Sequence, residues 1–224
     1  MGSYFGFQTH ESYSGDENPW LGIESLLDGS DRLEQRYRQV RSALATMAGV
    51  PGGAIEFRVA ASVGQLGLTA RLFCPAFGAA LLDCRLDLGQ ARWKPVVGGV
   101  MPLFLPESAV HPGTGTSMAA TLDRQIRPLV ERTAAMSVSA EVLWGNVASV
   151  IAGAVTTLVT ARPDLAARAN DLGAEALSQP DLANTFTGMP GREFRRRNCC
   201  LIYRIALATD SPGDRAYCGD CILG

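Results

Sequence analysis

The sequence predicts an α+β protein that is predominantly α-helical: a helical body with a small β-hairpin or sheet and a C-terminal strand and loop that carry cysteines. Three observations support this fold class. Segments rich in alanine and leucine fill most of the chain, and one stretch of strand-forming residues surrounds a Gly-Gly pair. Four of the six cysteines fall within the last 26 residues. A chain of 224 residues can bury a sizeable core without disulfides.

The first predicted helix covers residues 31–48, where apolar residues recur at steps of three and four. Asp31, followed by Glu34 three residues later, resembles a capping arrangement. Residues 56–73 and 76–84 then predict two helices that are divided at Pro75, because proline lacks the N–H group that a helix interior needs.

Residues 92–105 predict the β-hairpin. Two short apolar arms flank Gly98-Gly99, and Pro95 and Pro102 place both arms at a sheet edge, where a missing donor is tolerated.

Helices are predicted over residues 118–135, 139–161 and 164–178, and residues 194–208 are expected to form a strand followed by a loop. The uncharged run 142–161 is long enough to cross a bilayer. Its polar residues favour a buried helix of a soluble protein. Within it, Trp144 is expected in the core, and Asn146 is expected to bond a neighbouring group of the protein, with a substrate as the alternative.

We divide the chain into an N-terminal loop segment (1–30), a helical body (31–190) and a C-terminal cysteine-bearing region (191–224). No secretory signal precedes the body, so we expect a cytoplasmic protein, although peripheral association with a membrane is left open. The net charge of −2 gives no reason to expect a nucleic-acid partner. Thiols stay reduced in the cytosol, which favours metal or redox chemistry for the cysteines.

The cysteines of the C-terminal region form a Cys-Cys pair and a Cys-x-x-Cys pair, separated by seventeen residues. Four thiolates are the usual ligands of an iron–sulfur cluster or a structural zinc ion. Adjacent residues of a strand point to opposite faces, which suits two bridged irons better than one zinc ion. Zinc and a disulfide-bonded tail remain the alternatives. The metal ligands on this interpretation are Cys199, Cys200, Cys218 and Cys221.

The other cysteines, Cys74 and Cys84, lie in the helical body and are expected to act as small apolar residues. The histidines, His10 and His111, are far from the cysteine tail in sequence, which gives no support for a Rieske-type ligand pair.

The strings Arg-Arg-Asn-Cys-Cys-Leu-Ile-Tyr-Arg (196–204) and Tyr-Cys-Gly-Asp-Cys (217–221) resemble the C-terminal signature of the FhuF-type ferric siderophore reductases. The alanine-rich segment 60–82 and the Leu-Trp-Gly-Asn string (143–146) are similar to further stretches of that family. The family's best-known members place ten residues between the cysteine pairs. The additional residues of this chain, around 208–215, are loop-forming.

The resemblance implies a [2Fe–2S] cluster on the four cysteines and an oxidoreductase that reduces Fe(III) in a siderophore, typically a hydroxamate, to release Fe(II). A ferredoxin or flavoprotein is the expected electron donor, because the sequence has no dinucleotide-binding Gly-x-Gly-x-x-Gly motif after a strand. The alternatives are a protein that binds ferric siderophores or shuttles iron with a structural or sensory cluster, a zinc-stabilised interaction module and a redox-sensing regulator.

Six arginines and four acidic residues lie between residues 192 and 221, so this region carries a net charge of +2. Positive charge would offset a cluster with four thiolates. We expect Arg195, Arg196 and Arg197 to raise the cluster's potential or, together with Arg204, to dock the substrate or partner. A solvated loop without such a role is the alternative.

Overall fold

In the computed structural model, the described residues are 3–9, 20–113, 117–191, 193–205 and 218–223. The predicted loop at 208–215, together with Tyr217 and His10, lies outside these residues. The helices are α1 (Arg32–Ala48), α2 (Phe57–Leu81), α3 (Met118–Thr121), α4 (Arg127–Ala134), α5 (Ala140–Ala161) and α6 (Ala166–Leu177). The predicted α+β class with mainly helical content is confirmed.

The two longest helices, α2 and α5, pack against each other at the centre of the molecule. Helix α1 covers another side of α2, and α6 packs on α5. Small residues allow this close approach: Gly64 on α2 faces the ring of Tyr37, and Gly173 on α6 faces Val155. The large side chains of this core, such as Phe73 and Phe77, are fully buried.

Helix α2 differs from the prediction, because it continues through Pro75 instead of stopping there. A proline inside a helix costs about 3 kcal/mol. Its neighbours Phe73 and Phe77 stack with ring centroids 5.5 Å apart in the core. Their burial outweighs the lost hydrogen bond, which is a tertiary effect that local sequence does not reveal.

The remaining predicted helices agree with the structure. Helices α3 and α4 are joined by one π-helical turn, Leu122–Ile126, so they follow one another across the predicted segment 118–135. The capping arrangement at α1 was wrong: Asp31 is the N-terminal cap residue, but its side chain accepts no capping hydrogen bond.

The strands are short and form small antiparallel sheets. They are β1 (Leu21–Gly22), β2 (Cys84–Leu86), β3 (Arg92–Trp93), β4 (Leu103–Phe104), β5 (Val110–Pro112), β6 (Phe186–Thr187) and β7 (Arg195–Arg196). Strands β3 and β4 pair with Trp93 opposite Leu103, which confirms a hairpin within 92–105. Its paired arms are shorter than expected, and β1 adds a third strand on β3.

One helix among the described residues, α5, is long and apolar enough to span a membrane by length and composition. In its most apolar window, 61% of the residues are buried inside the molecule, against α2, α4 and α6.

The predicted strand over 194–208 was wrong in extent. Within its described part, residues 194–205, only Arg195–Arg196 forms a paired strand, with β6. Leu201 adopts the left-handed conformation with φ of 71°, and Ile202–Arg204 forms a 3₁₀ turn. The segment therefore wraps against α2 instead of extending a sheet, and this turn determines how the cysteine sulfurs are presented.

Candidate functional site

The structure brings the four predicted cysteine ligands together as two pairs, although they come from segments that are seventeen residues apart in sequence. The sulfurs of Cys200 and Cys218 lie 3.6 Å apart. Cys221 is the thiol neighbour of Cys199 and contributes to raising its pKa. Each pair thus joins one residue of the Cys-Cys motif to one residue of the Cys-x-x-Cys motif.

The distance within the Cys200–Cys218 pair has a chemical meaning. A disulfide bond requires about 2.05 Å between sulfurs. Two thiolates that are each about 2.3 Å from one tetrahedral metal ion lie about 3.8 Å apart. The observed 3.6 Å therefore excludes a disulfide; it is a direct contact between two thiols and is also close to the spacing of two ligands on one ion.

A single-ion site is not formed by these side chains. Within the described ranges, no group of three or more Cys, His, Asp or Glu side chains is placed to hold one metal ion. The described cysteines form no disulfide either.

All four sulfurs accept hydrogen bonds from N–H groups. The Leu201 N–H donates to Cys199 Sγ at 3.4 Å, and the Leu223 N–H donates to Cys221 Sγ at 3.4 Å. The Ile202 N–H donates to the Cys200 sulfur. Arg196 Nη2 donates to Cys218 Sγ. The left-handed Leu201 turns the chain so that successive N–H groups point back at the adjacent cysteines.

The two thiol pairs differ electrostatically. Burial raises the pKa of Cys199 to about 11. A hydrogen bond from Cys218 lowers the pKa of Cys200 to about 5, and the charge of Arg196 adds to this shift. The same shared hydrogen bond raises the pKa of Cys218.

Arg196 is the charged residue at the centre of the site. Its side chain is 1% exposed. Burial alone would lower the pKa of this guanidinium, but Cys200, Asp220 and Cys218 together raise it. Arg196 hydrogen-bonds to both sulfurs of the Cys200–Cys218 pair. A buried cation of this kind requires anionic neighbours, and thiolates supply them.

Arg196 also attaches the Cys-x-x-Cys loop to the body. Its backbone N–H donates to Asp220 O at 3.0 Å, and its Nε lies 3.1 Å from Asp220 Oδ2. The loop closes on itself through the Cys221 N–H, which donates to Cys218 O at 3.0 Å. The loop thus depends on one arginine for its position.

A buried polar network links this arginine to the central helices. Arg196 Nη1 donates to Asn146 Oδ1 at 3.0 Å. Asn146 Nδ2 lies 3.1 Å from Ser62 O, Ser62 Oγ and Gln65 Oε1. Ser62 Oγ in turn donates to Cys200 O at 2.9 Å. We name the set Ser62, Gln65, Asn146 and Arg196 the polar network; it holds both cysteine segments against α2 and α5.

The other predicted arginines lie at the surface. Arg195 and Arg197 are exposed on either side of Arg196. Arg204 is exposed and lies 2.9 Å from Glu56 Oε1 in an ion pair. The run of three arginines thus divides into one buried residue and two surface residues, as expected for alternating side chains on an extended backbone.

No family model, no curated protein and no solved structure matches this chain. The functional assignment therefore depends on the geometry of the site and on the resemblance of the cysteine signature.

Away from this site, Cys74 is buried, as expected of a small apolar residue, whereas Cys84 is only half-buried on β2. Trp144 is partly buried, with the Arg127 guanidinium 5.6 Å from its ring centroid.

Sequence reasoning missed Ser62, Gln65 and Asp220. Ser62 and Gln65 are polar residues in an otherwise apolar helical segment. Because they are three residues apart, they lie on the same face of the helix, and this is the signal that could have identified them.

Proposed function

We propose that this protein holds a [2Fe–2S] cluster on Cys199, Cys200, Cys218 and Cys221 and reduces Fe(III) bound in a siderophore, typically a hydroxamate. The observation that carries the proposal is the position of the cysteines beside a buried arginine, with the sulfurs of Cys200 and Cys218 3.6 Å apart.

The donor set fits this cluster on three counts. The sulfurs form two pairs, one for each iron. Each sulfur accepts an N–H bond, which suits a thiolate better than a thiol. The Arg196 guanidinium lies where the negative charge of a four-thiolate cluster would otherwise be uncompensated.

The bound cluster would supply one electron at a time, at a potential near −400 mV in a plant-type setting. The residues of the chain orient and shield it. Cys200 and Cys221 are each 3% exposed, whereas Cys199 and Cys218 are half-buried, so the site reaches the surface on one side. An electron can pass from that side to a substrate that never enters the core.

Reduction releases the iron because hard oxygen ligands bind the more highly charged Fe(III) ion much more strongly than Fe(II). The exposed Arg195 and Arg197 present positive charge next to the site and would attract an anionic ferric complex or an acidic electron donor. In this proposal, a ferredoxin or flavoprotein supplies the electron, and the reaction takes place in the cytoplasm.

The test is anaerobic reduction of the purified protein with dithionite, removal of the reductant and mixing with ferrioxamine in the presence of a ferrous chelator. We expect the cluster to reoxidise with release of an equal amount of chelated Fe(II). A cluster that binds ferrioxamine and stays reduced would instead indicate a binding or iron-shuttling protein. A colourless protein that contains zinc would indicate an interaction module.

A further inference from the structure

We propose that Cys200 and Cys218 bind one iron and Cys199 and Cys221 bind the other, and that Arg196 is the positioning residue that holds the first pair and raises the cluster's reduction potential. This inference rests on the proposed cluster but is independent of the substrate.

The pairing follows from the chain's own geometry. The sequence offers an obvious alternative, in which the adjacent Cys199 and Cys200 share one iron and Cys218 and Cys221 share the other. The structure instead joins residues across the two motifs, with 3.6 Å between the sulfurs of Cys200 and Cys218. This leaves Cys199 and Cys221 as the second pair, and Cys221 contributes to raising the pKa of Cys199. Both segments are therefore needed for each iron.

Arg196 contacts one pair and not the other. Its guanidinium bonds to the sulfurs of Cys200 and Cys218, whereas Cys199 and Cys221 accept backbone N–H groups. A positive charge and N–H donors at a thiolate stabilise the reduced, more negative state. The effect of Arg196 is thus concentrated on the iron that Cys200 and Cys218 would share.

The polar network restricts Arg196 to this orientation. Nη1 donates to Asn146, and Asp220 pairs with Nε. Lysine has a single ammonium group and cannot span Asn146, Asp220 and the sulfurs at once. An Arg196→Lys protein therefore retains the charge but loses the fork of donors.

The first experiment needs no cluster. Four double Cys→Ser variants of the full-length apo-protein retain one cysteine from each motif, and diamide oxidises the two thiols to a disulfide while it is reduced to its hydrazine. Mass spectrometry of joined tryptic peptides gives the rates. We expect the variants that retain Cys200 with Cys218, or Cys199 with Cys221, to crosslink at least tenfold faster than the two mismatched variants. Equal rates, or faster mismatched crosslinking, would overturn the pairing.

The second experiment uses the cluster-loaded protein. EPR spectra of the four single Cys→Ser variants should sort into two classes, 200 with 218 and 199 with 221. Classes that follow sequence adjacency, 199 with 200, would contradict the pairing. If the protein assembles no cluster, the proposed function fails, whereas the crosslinking result still stands.

The third experiment tests Arg196 by potentiometry. We expect Arg196→Lys to lower the midpoint potential and Asp220→Asn, which removes a negative charge beside the cluster, to raise it, with altered EPR g values in both variants. The matched control is Arg71→Lys, because Arg71 is also buried but donates to Met101 O and Tyr4 O, away from the cysteines. That control should lose stability and keep the wild-type potential. An unchanged potential in both test variants, or an equal change in the control, would refute the role of Arg196.

Discussion

The helical body and the cysteine tail are stabilised by different kinds of interaction. The body buries a continuous apolar core between α1, α2, α5 and α6. In the described part of the tail, Phe194 and Ile205 are buried apolar residues at either end, and the buried groups between them are sulfurs and a guanidinium. Hydrophobic burial can hold the body on its own, whereas the tail requires its polar partners and, in our proposal, its cluster.

The largest expected effect comes from removing the cluster. Chelation of the iron under reducing conditions should make tryptic cleavage at Arg197 and Arg204 at least tenfold faster, while cleavage at the buried Arg71 of α2 stays slow. The reason is that the sulfurs lose the ions that join them. Limited proteolysis followed by mass spectrometry measures both regions in one sample, and equal protection of the tail before and after chelation would show that the tail folds without metal.

The second-largest expected effect is the loss of stability on replacing Asn146, which links the tail to the body. Asn146→Ala should lower the free energy of unfolding by about 3 kcal/mol, because Arg196 Nη1, Ser62 Oγ and Gln65 Oε1 each lose a buried hydrogen-bond partner. The exposed Asn170→Ala on α6 is the matched control and should change stability by less than about 0.5 kcal/mol. Urea unfolding followed by circular dichroism measures both. If Asn146→Ala changes the free energy of unfolding as little as the control does, the polar network contributes little to holding the tail against the body.

Within the body, alanine substitutions at two glycines test how much close helix packing contributes to stability. A Cβ atom at Gly173 would lie 2.3 Å from Val155 Cγ2, whereas at Gly153 it meets nothing within 4 Å. Gly173→Ala should therefore destabilise the protein by about 1–3 kcal/mol. Gly153→Ala, on exposed α5 surface, should stabilise it by about 0.5–1 kcal/mol.

Thermal unfolding of both glycine variants, with the visible spectrum recorded alongside, tests the independence of the two regions. The spectrum should not change in either variant. A spectral change in Gly173→Ala would show that packing between α5 and α6 reaches the cysteine site.

The smallest expected effect is at the cysteine of the body. Burial raises the pKa of Cys74 to about 12. At pH 8 its thiolate fraction is about one in ten thousand, so iodoacetamide should not label it in the folded protein. Labelling should appear only in denaturant. Mass mapping of Cys74 at pH 7 and pH 9 checks this, and labelling of the native protein at either pH would show that α2 opens locally.

Sequence reasoning predicted the body better than the tail, for a physical reason. The periodicity of α1 and the uncharged run of α5 reflect surfaces that these helices bury themselves, so local pattern and final structure agree. The continuity of α2 through Pro75 depends on stacking of Phe73 on Phe77, which no local rule contains.

In the tail, the unusual spacing of the four cysteines allowed the sequence to predict that they act together. Their cross-motif pairing was not, since it depends on the left-handed turn at Leu201 and on contacts with Ser62, more than 130 residues away. The same holds for Arg196: the run of three arginines predicted positive charge, but only the tertiary structure shows which of them is buried.

The most direct test of the central claim is anaerobic purification followed by iron and acid-labile sulfide analysis, with EPR of the dithionite-reduced protein. The account predicts about two irons and two sulfides per chain and an S = 1/2 signal that disappears when all four cysteines of the tail are replaced. Protein that lacks labile sulfide, or that keeps its colour after those replacements, would contradict it.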